Sequence, residues 1–375
     1  MRVDPFALDL ASPLTTARGA ITEREGFVVR LAVDGTAGVG EAAPLPGWTE
    51  SLDDCRAALE CVAEALDDGI DPDAVLDGDG HRVDLGDAPA ARHAVASAVL
   101  DARARTAGEP LYRVLAGEDD IHPDPVESVP VNATVGDGPP GETADAAADA
   151  VAAGFGTVKL KVGARAVAAD TERVAAVRDR CPDVTLRADA NGAWSADEAE
   201  RALAAFAEHG VAYVEQPLPA AATDTDGADG PRDDLRAHAA LRGRGVGVAL
   251  DESLAVGADP VTAALDASAA DALVLKPMAL GGPDRALAAA RAARAAGVEA
   301  VLTTTIDGAL ARATAVHAAA AVPAVPACGL ATGDRLERDL LDADPAPVSD
   351  GRARVPEGPG VAGGTRWHRG RTDQP

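Results

Sequence analysis

Lysine is nearly absent from this chain, and where it survives it does so in a pattern. Lys159 and Lys161 stand in VKLKVG and Lys276 in LVLKPMALGG, while the other 31 of the 34 basic residues are arginines. A guanidinium stays protonated under all biological conditions, whereas an amine titrates. Lysine kept at these places therefore points to sites that need a titrating amine or a compact ammonium. A Lys-x-Lys pair on a strand sends both side chains to one face. Each ammonium is then expected to depress the other's pKa, a nearby dication would depress both, and one becomes a neutral amine near pH 7. Acids, and one amide, recur at matching places: Asp189 and Asn191 in RADANGAW, Glu215 in VEQP and Asp251 in ALDES each close a β-rich run. Alone, an aspartate after a strand is ordinarily a helix cap. Three carboxylates from consecutive strand ends instead offer hard oxygen ligands that fill only part of an octahedron. That set leaves room for a substrate carboxylate or water and suits Mg²⁺ rather than zinc. Lysines on either side of such a cation suit proton abstraction.

The elements that must present these residues are legible from residue 117 onward. A Pro- and acid-rich stretch, GEDDIHPDPVESVP, is followed by the strand-like runs VPVNATV, TVKLKV, TLRADAN, VAYVEQP, GVGVALDES, ALVLKP, EAVLTTT and PACGLATG. Between most of them lie alanine-rich helical stretches such as ADTERVAAVRDRC, ADEAERALAAFAEHG and GPDRALAAARAARAAG. Strand and helix alternating about eight times predict a parallel α/β barrel. In such a barrel chemistry sits at the C-terminal strand ends, which is where the lysines and acids fall. The N-terminal part reads as α+β, with GFVVRLAVDG as a strand running into a turn and helical segments at 54–66 and 90–107. The expected organisation is an α+β capping unit over 1–120, the barrel over 121–335, and a C-terminal segment, 336–375, packing back on the cap. AATDTDGADGPRDDL (221–235) reads as an acidic surface insertion without a catalytic part.

Composition excludes several function classes. A net charge of −27 from 61 acidic residues, with 2% aromatic content, would suit a disordered chain, but 47% of the residues are hydrophobic and can bury a core. The reading is a salt-adapted globular protein whose surface carboxylates hold water and cations, with concentrated salt screening their repulsion. Such a surface repels nucleic acid and anionic membrane, and the expected partner is a small carboxylate substrate. No apolar run is long enough to span a bilayer, and MRVDPFALDLASPL carries acids where a signal peptide needs an apolar core, so a cytoplasmic, halophilic protein is expected. Cys55, Cys61, Cys181 and Cys328 lack metal-site or disulfide spacing, and the seven histidines are scattered.

The order K-x-K, D-x-N, E-Q-P, D-E-S, K-P resembles the muconate-lactonising branch of the enolase superfamily over nearly the whole chain. The resemblance implies a modified (β/α)7β TIM-type barrel behind an N-terminal α+β capping domain. It implies Mg²⁺, with Mn²⁺ as a substitute, on Asp189, Glu215 and Asp251. Lys161 would then be the base, Lys276 would stand across the site, Lys159 would tune Lys161, and Asn191 would support the ligands. The shared chemistry is removal of a proton α to a carboxylate. RADANGAW with Arg187, LTTARGAITEREG, GEAAPLPGWTES, TTTIDGAL and CGLATGDRLERDLL are further similar to the o-succinylbenzoate synthase family. That similarity implies a menaquinone-pathway lyase. It makes PLPGWTES a lid, with Gly47 its point of freedom between stiffening prolines, and adds Arg187, Thr303, Thr304 and Thr305 as residues supporting the site or touching substrate. Arg187 has a second reading as a salt-bridging residue. N-succinylamino acid racemases and dipeptide epimerases of the same superfamily need the same metal and lysines. Dipeptide epimerases typically carry an Asp-x-Asp pair after the eighth strand, and CGLATGD lacks it. A catalytically inactive barrel with a binding role is the alternative of another class.

Overall fold

The computed structural model describes residues 1–16, 19–78, 83–117, 125–221 and 232–363. The acidic run expected to form a surface insertion falls mostly on 222–231, outside the described residues. The chain begins with an antiparallel sheet of β1 (Arg2–Thr16), β2 (Gly19–Val33) and β3 (Thr36–Ala42), in that order. Helices α1 (Leu52–Asp67), α2 (Pro72–Asp77), α3 (Pro89–Ala107) and α4 (Leu111–Ala116) complete this part. Helix α1 starts at Ser51, whose Oγ accepts from the Asp54 amide, and buries Cys55, Leu59, Val62 and Ala65, the stripe expected of a helix with one buried face. Helix α3 lies directly on β3. A Cβ at Gly38 or Gly40 would stand 1.9 or 2.0 Å from the carbonyl oxygens of Ala98 and Ala94, so only glycine permits this approach.

Strand β4 (Ser128–Pro130) leads into the barrel strands β5 (Ala133–Val135), β6 (Thr157–Lys161), β7 (Thr185–Asp189), β8 (Val211–Glu215), β9 (Gly247–Leu250), β10 (Ala272–Leu275) and β11 (Glu299–Leu302). All seven run parallel and neighbour one another in chain order. The crossovers are α5 (Pro140–Ala152), α6 (Val167–Arg180), α7 (Ala196–Ala207), α8 (Asp233–Leu241), α9 (Pro260–Asp266), and the pair α10 (Pro277–Leu280) and α11 (Pro283–Ala295), with α12 (Ala309–Ala320) after β11. PACGLATG, expected as an eighth strand, supplies instead two single-residue bridges. Cys328 pairs with Val131 and Gly329 with Thr303, and these join the open edges of β5 and β11. β4 pairs outside the barrel with β13 (Arg352–Arg354), which hairpins with β12 (Val348–Ser349), so Val129 and Pro130, read as the start of the first barrel strand, lie outside it.

Alternation along the strands sorts the side chains. Val158, Leu160, Leu186, Ala188, Val214 and Val248 face the helices in one core, and Leu250, Leu273, Leu275 and Leu302 do so in another. Tyr213, Ala249, Ala272 and Val274 form a small separate cluster. The residues after 336 return to the cap: the Glu337 amide donates to the Asp9 carbonyl, Gly360 to the Glu109 carbonyl, and Val361 to Asp101 Oδ1.

Candidate active site

Lys161, Asp189 and Glu215 are the last residues of β6, β7 and β8 and stand side by side in register. Asp251 and Lys276 follow immediately after β9 and β10. All three carboxylates are buried. Lys161 Nζ donates to Asp189 Oδ2 at 2.6 Å and to Asn191 Oδ1 at 2.9 Å. Lys159, one layer deeper, reaches Glu215 Oε1 and Oε2 at 2.9 and 3.0 Å and Asp189 Oδ2 at 3.0 Å. Lys276 Nζ is paired with Asp251 Oδ1 and lies 3.3 Å from the centre of the Trp48 ring.

The charges act on one another strongly because water is excluded. Burial pushes the Glu215 carboxyl up to about 7, with Asp189 adding to the effect, and burial pushes Asp251 up to about 6 against the pull of Lys276. Burial opposes ionisation of Asp189 too, but the ammonium groups of Lys159 and Lys161 outweigh it and hold that carboxyl well below the usual range. The mutual depression expected of the two lysines does not govern Lys159. Burial lowers its pKa, yet Asp189 and Glu215 outweigh that burial and hold it well above the ordinary value. Carboxylates contacting this ammonium set the local field. Among the described residues no three acids, histidines or cysteines are gathered closely enough to grip a metal ion, since their oxygens are turned to ammonium groups. In kind the donors fit a hard divalent cation: they are carboxylate oxygens on adjacent strand ends, and burial makes two of them poor anions without added positive charge.

The supporting residues divide into those at the row and those away from it. Asn191, at φ 45°, joins Lys161 to Glu252 through its Nδ2, 3.0 Å from Glu252 Oε1, and its amide donates to Asp189 Oδ1. Arg187 points elsewhere. Its guanidinium lies 4.8 Å over the Tyr213 ring, donates to the Ala327 carbonyl at 2.5 Å and meets Glu299, at the start of β11, at 3.4 Å. Thr303 Oγ1 donates to the Gly329 carbonyl, Thr304 Oγ1 shares a hydrogen bond with Thr332, and Thr305 bonds Asp307, so these hydroxyls brace the loop after β11. Gly47 sits at φ 99°, beside Trp48, in the turn between β3 and α1.

Two further residues enter the site without having been singled out in the sequence. Trp48, in PLPGWTES, covers Lys276. Gln216, in VEQP, is held at φ 41°, and its Oε1 accepts from the amides of Asp251 and Ser253 at 3.0 and 3.2 Å. Its Nε2 donates to Ser253 Oγ and the Leu218 carbonyl. One buried amide thus fixes the backbone that carries Asp251. The signal for Trp48 was a large aromatic in a chain with few; for Gln216 it was only adjacency to Glu215.

A parallel barrel with acids and lysines on its strand ends, under an α+β cap, is the arrangement of the enolase superfamily. The chain belongs to it: the Enolase C-terminal domain-like family matches residues 142–363, and the family described as MenC, N-terminal domain, matches 2–76. The chain is 39% identical over 232 residues to an o-succinylbenzoate synthase of Thermobifida fusca, covering 60% of this chain and 67% of that one. It is 30% identical over 293 residues to a hydrophobic dipeptide epimerase of Roseobacter litoralis, covering 77% and 78%. Among solved structures, a dipeptide epimerase from Methylococcus capsulatus, complexed with Mg and the dipeptide L-Arg-D-Lys, matches with a TM-score of 0.79. That match has 30% identity and covers 96% of this chain and 98% of the other.

Proposed function

We propose that this chain is an o-succinylbenzoate synthase, a hydro-lyase that dehydrates 2-succinyl-6-hydroxy-2,4-cyclohexadiene-1-carboxylate to 2-succinylbenzoate and water in menaquinone biosynthesis. The observation that carries this reading is the inequality of the two facing lysines. The Lys161 side chain is 38% exposed at the rim beside Asp189 and Asn191, whereas that of Lys276 is 9% exposed between Asp251 and the Trp48 ring. A syn elimination needs one proton carrier and one fixed cation, and this pair offers that asymmetry. The MenC match over the cap and the Thermobifida relative support the same substrate.

In this mechanism Lys161 Nζ takes the proton α to the ring carboxylate, and the C–H electrons move into the ring. The C–O bond at the hydroxyl-bearing carbon then breaks, and Lys161 returns the proton to the departing hydroxyl, so that water leaves and the ring becomes aromatic. Lys276 and Trp48 hold the planar anion from the opposite face by charge and aromatic contact. Lys159 holds Asp189 and Glu215 in place, and Gln216 does so for Asp251. Asp189, Glu215 and Asp251 would hold Mg²⁺, or Mn²⁺ in its stead, which when bound supplies positive charge to offset the negative charge developing on the substrate carboxylate. The acidic surface suits work in a salt-rich cytoplasm.

A second reading, epimerisation of dipeptides or N-succinylamino acids, is favoured by the broader coverage of the epimerase relatives and by a lysine on each side of the site. Against it, the segment bridging β11 to β5 continues as Leu330, Ala331, Thr332, with no acid pair to hold an ammonium. Following the rise of aromatic ultraviolet absorbance from the cyclohexadiene, in high salt with Mg²⁺ and again with chelator, tests the proposal. Metal-dependent aromatisation is expected, and none in either condition rejects it.

A further inference from the structure

Arg24 lies on β2 in the cap, away from the row of carboxylates, and is only 4% exposed. Its guanidinium is spent on backbone from two different loops. Nη2 donates to the Ala43 carbonyl at 2.7 Å and Nη1 to the Pro44 carbonyl at 3.1 Å, while Nε donates to the Ile306 carbonyl at 3.1 Å. Ala43 and Pro44 are the first residues after β3 and form the root of the Pro44–Thr49 turn. Ile306 belongs to the loop leaving β11. It is a β-branched residue held at φ 62°, a conformation such residues rarely adopt unless their surroundings impose it. The Asp307 carboxylate stands 3.9 Å from Arg24 and takes the Thr305 amide and hydroxyl. Glu41 pins the same loop from the cap by accepting from the amides of Gly308 and Ala311 at 2.6 and 2.9 Å.

The far end of the turn is fixed separately. Leu45 and Thr49 bond across it, and Glu50 accepts from the Ala90 and Ala91 amides at the start of α3. Between root and far end, Trp48 reaches Lys276. Only Arg24 among these groups bonds both the root of this turn and the loop after β11.

We propose that Arg24 is a positioning residue that sets where Trp48 stands over Lys276, by clamping the root of the Pro44–Thr49 turn to the Ile306 turn. The kinetic consequence rests on the dehydratase reading; the placement of Trp48 does not. A plain packing role would give Arg24→Met a loss unrelated to Trp48, whereas a positioning role couples the two. The experiment compares the full-length wild type, Arg24→Met, Arg24→Lys, Trp48→Ala and the Arg24→Met/Trp48→Ala double variant in high salt. The first readout is quenching of Trp48 emission by neutral acrylamide, with the Trp48→Ala signal subtracted. The second is the KM and kcat of aromatisation. Arg24→Met should raise Trp48 quenching and lower kcat/KM by roughly 10–100-fold, mostly through KM, the range a displaced binding group produces. Arg24→Lys should recover part of both. In the Trp48→Ala background Arg24→Met should cost less than about threefold. Equal losses in both backgrounds, or unchanged quenching in whichever Arg24 variant folds, would overturn the proposal. If the wild type aromatises nothing, the reaction assignment fails while the quenching comparison still decides the role of Arg24.

Discussion

Replacing Lys161 by arginine separates a base from a mere cation. Lys161 projects from the last residue of β6, its side chain 38% exposed, against 15% for Lys159 and 9% for Lys276. Its two partners, Asp189 Oδ2 at 2.6 Å and Asn191 Oδ1 at 2.9 Å, are acceptors that a guanidinium also satisfies. Room toward solvent and satisfied partners make the change nearly neutral for folding, within about 0.5 kcal/mol as for other rim substitutions. Chemistry should respond very differently, because a guanidinium stays protonated and accepts no proton. General base catalysis contributes roughly 10²–10⁴-fold. We therefore expect Lys161→Arg to lose at least about 10³-fold in kcat, equivalent to about 4 kcal/mol of barrier. Its unfolding midpoint and its stabilisation by Mg²⁺ should stay close to wild type. The assay is aromatic absorbance under saturating substrate, with thermal melts at matched salt. A Lys161→Arg enzyme within about tenfold of wild-type turnover would falsify the base assignment. Lys276→Arg, which keeps a cation under the Trp48 ring, should lose less in the same assay if one lysine carries the proton, and as much if two do.

Glu215→Gln removes one anion from the buried row, so the fold should persist while turnover collapses. The Mg²⁺-dependent rise in melting temperature, worth about 2.7 kcal/mol at a hundredfold excess over Kd for the wild type, should vanish; an undiminished rise would take Glu215 out of the metal site. Gln216→Ala leaves the Asp251 and Ser253 amides without their acceptor, so a loss of about 2–4 kcal/mol in denaturant unfolding is expected. It should also lose roughly 10²-fold in turnover, and wild-type values of both would show that Gln216 is idle. His317, buried beneath α4 and stacked on Tyr112, has its pKa pushed down to about 4 by burial. The unfolded chain binds that proton first as pH falls, so stability is full above about 6.5 and is lost on acidification toward 4, by about 3 kcal/mol in all. His317→Gln, able to keep the bond to the Val361 carbonyl, should flatten that part of the stability–pH curve measured by urea melts.

The barrel and its strand ends were legible because alternation and chemistry coincide there. In TVKLK the apolar Val158 and Leu160 must face helices, which leaves Lys159 and Lys161 no other side, and the same logic carries Asp189 and Glu215 into the row. What escaped depends on contacts between distant segments. Cys328 and Gly329 close the barrel with one bridge to each neighbour, too little pairing for a strand pattern to reveal. Arg187, two before Asp189, left two readings open in the sequence, a residue at the site or a salt-bridging one, and only contacts across the barrel decide between them. Its direction is set by Tyr213 and by Glu299 from the other side of the barrel. The lysine pair alone could not show that Lys159 answers to two carboxylates supplied by neighbouring strands. Trp48 meets Lys276 only because the cap docks on the barrel, a relation that local periodicity does not encode.

Elimination with one proton carrier and exchange with two make different demands on the same lysines. The direct test gives one enzyme preparation both kinds of substrate in D₂O with Mg²⁺ and compares kcat/KM for aromatisation of the cyclohexadiene with that for deuterium incorporation into N-succinylamino acids and dipeptides. Aromatisation should be the far more efficient reaction, with exchange a lesser activity. Strong exchange without aromatisation would refute the proposed dehydration and make the chain a racemase or epimerase.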